Sequence, residues 1–257
     1  MRTRESKIDY NYKLEIAYEG THYQGWQQLG GDSRNNTIQG ILANVLTAYC
    51  KEPINLIGAG RTDSGVHALG QVANFRTTKV LEQKVLLQWN QNLPPDIQIL
   101  SLKRMPEDFH SRYSAIGKQY RYQIYCGGKV SPFLRNQCIF MEENLDISRM
   151  QKAARILIGR HDFAGFASQM RDGRPTVKTI SEIRFSQQDN LVTIIYEGDG
   201  FLYHMLRIVT GTLIEVGLHK RSLESLRTIL ETRDRSLAGP TIAAKGLCLT
   251  KIYYKNM

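Results

Sequence analysis

At 257 residues the chain is long enough for one large domain or two of about 125, and either can bury a sizeable core. Its 34 Lys and Arg against 24 Asp and Glu leave a formal charge of +10, which favours a polyanionic partner without separating nucleic-acid binding from a merely basic surface. Four scattered cysteines form no Cys-x-x-Cys pair and no apolar run reaches about eighteen residues, so a zinc site, a disulfide framework and a membrane span are all disfavoured and a cytoplasmic setting is expected.

Residues 1–11 read as a polar N-terminal segment. Tyr12, Leu14, Ile16 and Tyr18 then alternate with Lys13, Glu15 and Ala17 as a half-buried strand does, and Gly20 ends it. Residues 21–36 hold three glycines and many amides and fit a long functional loop. Asn36 or Thr37 can cap a helix in which Ile38, Ile41, Leu42, Val45, Leu46 and Tyr49 share one face. A strand over residues 54–57 runs into the loop 58–67, and a second follows over 71–77. Leu81, Val85, Leu86 and Trp89 fall at helical spacing until Asn92-Leu93-Pro94-Pro95 stops them, and residues 97–102 give a further strand.

The order then repeats. A strand over 120–126, a helix carrying Ile147, Met150, Ala154, Leu157 and Ile158, strands near 180–185 and 191–197, helices over 202–216 and 223–230 and a strand over 247–254 follow in turn. This predicts an α+β chain of two ferredoxin-like βαββαβ halves, residues 12–105 and 106–257, with an extended, mainly antiparallel sheet flanked by helices. Such units expose a sheet face of the kind RNA-binding modules use.

Loop 58–67 concentrates chemistry: Gly58, Gly60 and Gly65 surround Arg61, Thr62, Asp63 and His67. On the residues alone, an Asp-Ser-Gly turn with a surface Arg–Asp pair stays open. Alternation puts Tyr120, Tyr122 and Ile124 on one sheet face and Arg121 on the other, and an aromatic on an exposed face can stack on a base. Arg207 falls on the less apolar side of a helix whose Leu202, Met205, Val209 and Leu213 turn inward. His67, His110 and His204 have no metal-ligand spacing and read as hydrogen-bonding or phosphate-contact residues. The glycines match no nucleotide-cofactor loop. Arg34, Lys103, Arg104, Arg112, Lys118, Arg121, Arg171, Arg174 and Lys178 sit on predicted loops and strand ends, where a phosphate backbone could be met.

Gly-Arg-Thr-Asp-Ser-Gly-Val-His over residues 60–67 closely resembles the signature of the tRNA pseudouridine synthase A family, Gly-Arg-Thr-Asp-Ala/Ser-Gly-Val-His. Tyr18-Glu19-Gly20, Gly25-Trp26-Gln27, Gly70-Gln71-Val72, Asn92-Leu93-Pro94, Asp108-Phe109-His110, Tyr120-Arg121-Tyr122, Asp162-Phe163 and His204-Met205-x-Arg207 resemble further family segments in the family's order. Tyr203, Ser64 and Ser111 depart from the commoner residues there.

The resemblance implies the pseudouridine synthase fold, two similar halves with the active cleft between them. It also implies a homodimer acting without metal or small-molecule cofactor on uridines 38, 39 and 40 of the tRNA anticodon stem-loop. Asp63 would be the nucleophile and Arg207 its ion-pair partner. Tyr120 would lie against the target base, with Arg61 and His67 among the substrate-binding residues. Two rivals remain at this point. One is a tRNA-binding protein without catalysis; the other is a nucleoside hydrolase, which needs a second carboxylate from Glu52 or Asp108.

Overall fold

The computed structural model describes residues 9–28, 36–129, 131–168 and 175–255. Arg34, Arg171, Arg174 and residues 1–8 of the polar N-terminal segment lie outside these. The chain divides into two compact units, Met1–Ile116 with Lys251–Met257, and Gly117–Thr250.

The first unit follows the order β1 (Tyr10–Tyr18), α1 (Ile38–Cys50), β2 (Ile57–Gly58), β3 (His67–Thr77), α2 (Val85–Gln91) and β4 (Ile97–Met105). Strand β1 lies between β4 and β3, antiparallel to both, and β2 pairs antiparallel with β3. The alternation in β1 holds: Tyr12, Leu14, Ile16 and Tyr18 are buried. Thr37 caps α1 by accepting the Gly40 amide at 3.3 Å, and Ile38, Leu42 and Leu46 are wholly buried.

The second unit comprises β5 (Ala115–Cys126) from Gly117 on, β6 (Ile139–Met141), α3 (Ile147–Ala154), β7 (Gly159–Asp162), β8 (Val177–Gln188), β9 (Leu191–Gly198), α4 (Met205–Gly217), α5 (Ser225–Thr232) and β10 (Leu247–Tyr254) as far as Thr250. The strands run β10-β5-β9-β8-β7, with β6 parallel to the end of β5. Setting β6 and β7 aside, both units place the closing strand beside the first, then the third, then the second. This is the order of the ferredoxin-like repeat. The fold class matches the expectation: α+β, with mainly antiparallel strands flanked by helices.

Several elements differ from the sequence reading for local reasons. The strand expected over 54–57 shrinks to Ile57–Gly58 because side chains of α1 take the preceding backbone groups. Thr47 Oγ1 accepts the Ile54 amide at 3.1 Å and Gln39 Nε2 donates to Leu56 O at 2.7 Å. The Tyr12 hydroxyl accepts the Leu81 amide at 2.8 Å, and α2 begins only at Val85. Helix α4 starts at Met205, not at 202, because His204 adopts a left-handed conformation at φ +60°. It is buried on nearly every side, so the expected one-sided amphipathic helix is a central one. Strands β6 and β7 have no predicted counterpart, β6 being three residues long and β7 reading Gly-Arg-His-Asp, without apolar alternation.

All four cysteines are buried and unbridged, as small core residues. Among the described residues no helix is long and apolar enough to cross a membrane.

Candidate active site

Asp63 stands in the bend between β2 and β3. Its carbonyl accepts the Val66 amide at 3.1 Å, closing a four-residue turn in which Gly65 holds φ +78°. The third position of such a turn requires positive φ, which is why glycine follows Asp63-Ser64. The Asp63 residue itself is half-buried.

Three segments brace this turn. From the 20–27 loop, the Trp26 amide donates to Thr62 O at 3.0 Å and Ser64 Oγ donates to Tyr23 O at 3.0 Å. From β1, the Tyr18 hydroxyl meets Thr62 Oγ1 at 2.8 Å in a buried bond. From β3, Gln71 Nε2 donates to Gly60 O at 3.0 Å and to the Tyr18 hydroxyl at 3.4 Å. The approach is close enough to require glycine on the bracing loop: a Cβ at Gly25, itself at φ +88°, would sit 2.5 Å from Thr62 O.

His67 is buried, 6% exposed, and its Nδ1 accepts the Gly20 amide at 3.0 Å. That bond leaves the proton of a neutral ring on Nε2. Arg61 is exposed and its Nε donates to Gln27 Oε1 at 3.0 Å. Arg61, Asp63 and His67 thus stand on one braced bend. The segments 18–20 and 25–27, singled out in the sequence, turn out to be its supports. Tyr23 donates to Asp96, and burial, reinforced by that carboxylate, pushes its phenol well above the ordinary range.

Tyr120 and Arg207 belong to the second unit. Tyr120 was expected on an exposed sheet face but is 7% exposed, because Phe201 covers it edge-on at 5.4 Å between ring centroids. Tyr122, two residues along the same face of β5, is fully buried and donates to Ala243 O at 2.6 Å. Arg207 lies in the first turn of α4 and its Nε donates to Ile242 O at 2.7 Å. Adjacent carbonyls of one irregular segment therefore fix Arg207 and Tyr122.

That segment approaches α4 closely, since a Cβ at Gly211 would fall 2.1 Å from Pro240 O, and the Gly239 amide donates to Thr212 Oγ1 at 2.9 Å. Burial raises the Tyr122 phenol far above its usual range, with the Arg207 charge opposing. Sequence reasoning missed residues 239–243 and Phe201; only Gly239-Pro240 signalled a turn there.

Of the carboxylates a hydrolase would need, Glu52 accepts bonds from Thr77 Oγ1 and from the Thr78 amide and hydroxyl, while Asp108 is exposed.

Comparison with known proteins gives the family of the chain. The family model described as tRNA pseudouridine synthase matches residues 16–114 and 153–255. The tRNA pseudouridine synthase A 2 of Clostridium tetani is 42% identical over 245 residues, 95% of this chain and 98% of that one. The tRNA pseudouridine synthase A of Acetivibrio thermocellus is 41% identical over 95% of this chain and 99% of its own length. That of a Bacillus species is 43% identical over 89% and 93%. The chain therefore belongs to the tRNA pseudouridine synthase family of isomerases.

Proposed function

We propose that the chain converts uridine to pseudouridine at positions 38, 39 and 40 of the tRNA anticodon stem-loop, with Asp63 as nucleophile and no cofactor. The observation that carries this reading is the bracing of the Asp63 bend from three segments. A nucleophile must be held in one position to react, and these bonds fix the backbone that carries the half-buried Asp63.

The reaction breaks the bond from uracil N1 to the sugar C1′, forms one from C5 to C1′, and releases the C5 hydrogen as a proton. It is redox-neutral, so what the protein must supply is a nucleophile, a place for the base to turn and exclusion of water. A carboxylate adds to the ring or to the anomeric carbon, holds that fragment while the base rotates, and leaves when the carbon bond has formed.

In this reading Arg207, whose Nε donates to Ile242 O, is the cation that keeps Asp63 ionised. Tyr120 lies against the target base. Arg61, steadied by Gln27, engages the RNA beside the flipped nucleotide. His67 contributes by fixing the bend through Gly20. A cytoplasmic homodimer completes the proposal.

Tritium release from tRNA transcribed with 5-tritiated uridine tests it, with wild type and Asp63→Asn side by side. The C5 hydrogen is lost only when carbon takes over the glycosidic bond. Release by wild type alone supports both the reaction and its nucleophile. Release by neither, with tRNA still bound, would leave a non-catalytic binder; equal release would mean the wrong residue. Transcripts keeping uridine at one of the three positions at a time test the site assignment.

A further inference from the structure

Residues 110–114 of the first unit form a small turn closed on itself. The Ser114 amide donates to His110 O at 2.9 Å and Ser114 Oγ accepts the His110 amide at 3.1 Å. His110 Nδ1 accepts the amides of both Arg112 and Tyr113, at 3.1 and 3.3 Å. The turn presents Tyr113, 78% exposed, with the His110 ring 4.3 Å behind it at 35° and the Arg112 guanidinium 5.8 Å from its centroid.

An isolated exposed tyrosine needs no explanation. What distinguishes this one is its mounting. Ser111, fully buried beside the exposed Arg112 and Tyr113, has three buried or part-buried bonds: its amide to Asn74 Oδ1 at 2.9 Å, its Oγ to Ile57 O at 2.6 Å, and its carbonyl from the Tyr254 hydroxyl at 2.6 Å. Asn74 in turn donates to Asn11 Oδ1, and Asn11 Nδ2 donates to Phe109 O at 2.8 Å. A buried polar network therefore anchors the turn that carries the exposed Tyr113, whose ring leans on His110 and has the Arg112 cation 5.8 Å from its centroid. That arrangement suits stacking on a nucleobase with a phosphate nearby, and it loses little conformational freedom on binding.

The mounting also ties the turn to the strand that leads into the Asp63 bend. Ile57, which accepts the Ser111 hydroxyl, is six residues before Asp63, a stretch of at most about 20 Å that a stacked strand covers in about six nucleotides. The geometry points to His110, Arg112 and Tyr113 as a stacking platform for an unpaired base of the substrate tRNA close to the reacting uridine, with Arg112 meeting the adjoining phosphate. This rests on the reading of tRNA as substrate given above.

The test uses the full-length protein with wild type, Tyr113→Ala, Tyr113→Phe and Arg112→Ala. It measures Kd for tRNA across a salt series, and fluorescence of anticodon stem-loop RNAs carrying 2-aminopurine at one unpaired position at a time. Tyr113→Ala is expected to weaken binding about 5- to 150-fold and to abolish the quenching of one 2-aminopurine position. Tyr113→Phe keeps both, and Arg112→Ala reduces the slope of log K against log salt by about one. Thermal melts confirm that the exposed substitutions leave the fold intact.

Wild-type affinity and quenching in Tyr113→Ala would overturn the platform while leaving the isomerase reading standing. A wild-type protein that binds and isomerises no tRNA would overturn both.

Discussion

The amide of Gly20 donates to Nδ1 of His67 at 3.0 Å, joining the end of β1 to the start of β3 across 47 residues of sequence. The imidazole of the Gly-Arg-Thr-Asp-Ser-Gly-Val-His segment is thus directed into the protein, and one effect is to fix the bend that carries Asp63. His67→Ala would leave the buried Gly20 amide without this acceptor, a loss of about 1–3 kcal/mol by denaturant unfolding. If His67 acts through the bend, kcat falls, by up to about 100-fold for a displacement of about 1 Å, while tRNA affinity changes little. A rise in KM at constant kcat would instead place His67 against the RNA.

Gly25 offers an independent probe of the same bracing. Its φ of +88° is strained for any L side chain, and a Cβ would lie 2.5 Å from Thr62 O and 3.0 Å from the Asp63 carbonyl carbon. Gly25→Ala must therefore push the 62–64 backbone away. We expect a stability loss of about 2 kcal/mol or more and a single-turnover rate reduced well beyond the change in tRNA binding. Wild-type kinetics in this variant would show that the position of the bend does not govern the reaction.

The sequence disclosed the repeated element order and the Asp63 bend because both are written locally. Alternation in β1 and three-and-four spacing in α1 need no knowledge of partners, and Arg61, Asp63 and His67 stand within seven residues. What escaped depends on groups far along the chain. The shortening of β2 follows from Gln39 and Thr47 of α1 taking its backbone partners. The burial of Tyr120 follows from Phe201, 81 positions later. The attachment of Arg207 is to a carbonyl, Ile242, and a backbone acceptor in an irregular segment has no residue signature. Strand β7 is polar throughout, so periodicity had nothing to register.

The bond from Arg207 Nε to Ile242 O separates the orientation of the guanidinium from its charge. Arg207→Lys keeps a cation on the first turn of α4 but has no equivalent of the planar Nε–H donor. If a directed cation stabilises the ionised nucleophile, Arg207→Ala should reduce the single-turnover rate by about 10²- to 10³-fold, with Arg207→Lys between it and wild type. Equal losses in both variants would show that geometry counts for more than charge. No loss in either would remove Arg207 from the mechanism.

Stability at high pH follows from four tyrosines. Burial is the first cause raising the phenols of Tyr23, Tyr122, Tyr196 and Tyr254, with the Asp96 bond and charge adding at Tyr23 and the Glu15 charge at Tyr254. In the unfolded chain these groups release their protons near the ordinary value of about 10, whereas the folded chain still holds them above that pH. The native state then binds more protons than the unfolded one, so stability falls as pH rises. These groups contribute no slope below about pH 9, and above about pH 10 each retained proton adds about 1.4 kcal/mol per pH unit to the fall. Absorbance at 295 nm, followed together with circular dichroism, should show part of the 13 tyrosines ionising only as the fold is lost. Tyr122→Phe removes one retained proton at the cost of the bond to Ala243 O, and should give a lower plateau with a shallower alkaline slope. Ionisation of all the tyrosines near pH 10 with the fold intact would contradict this account of their burial.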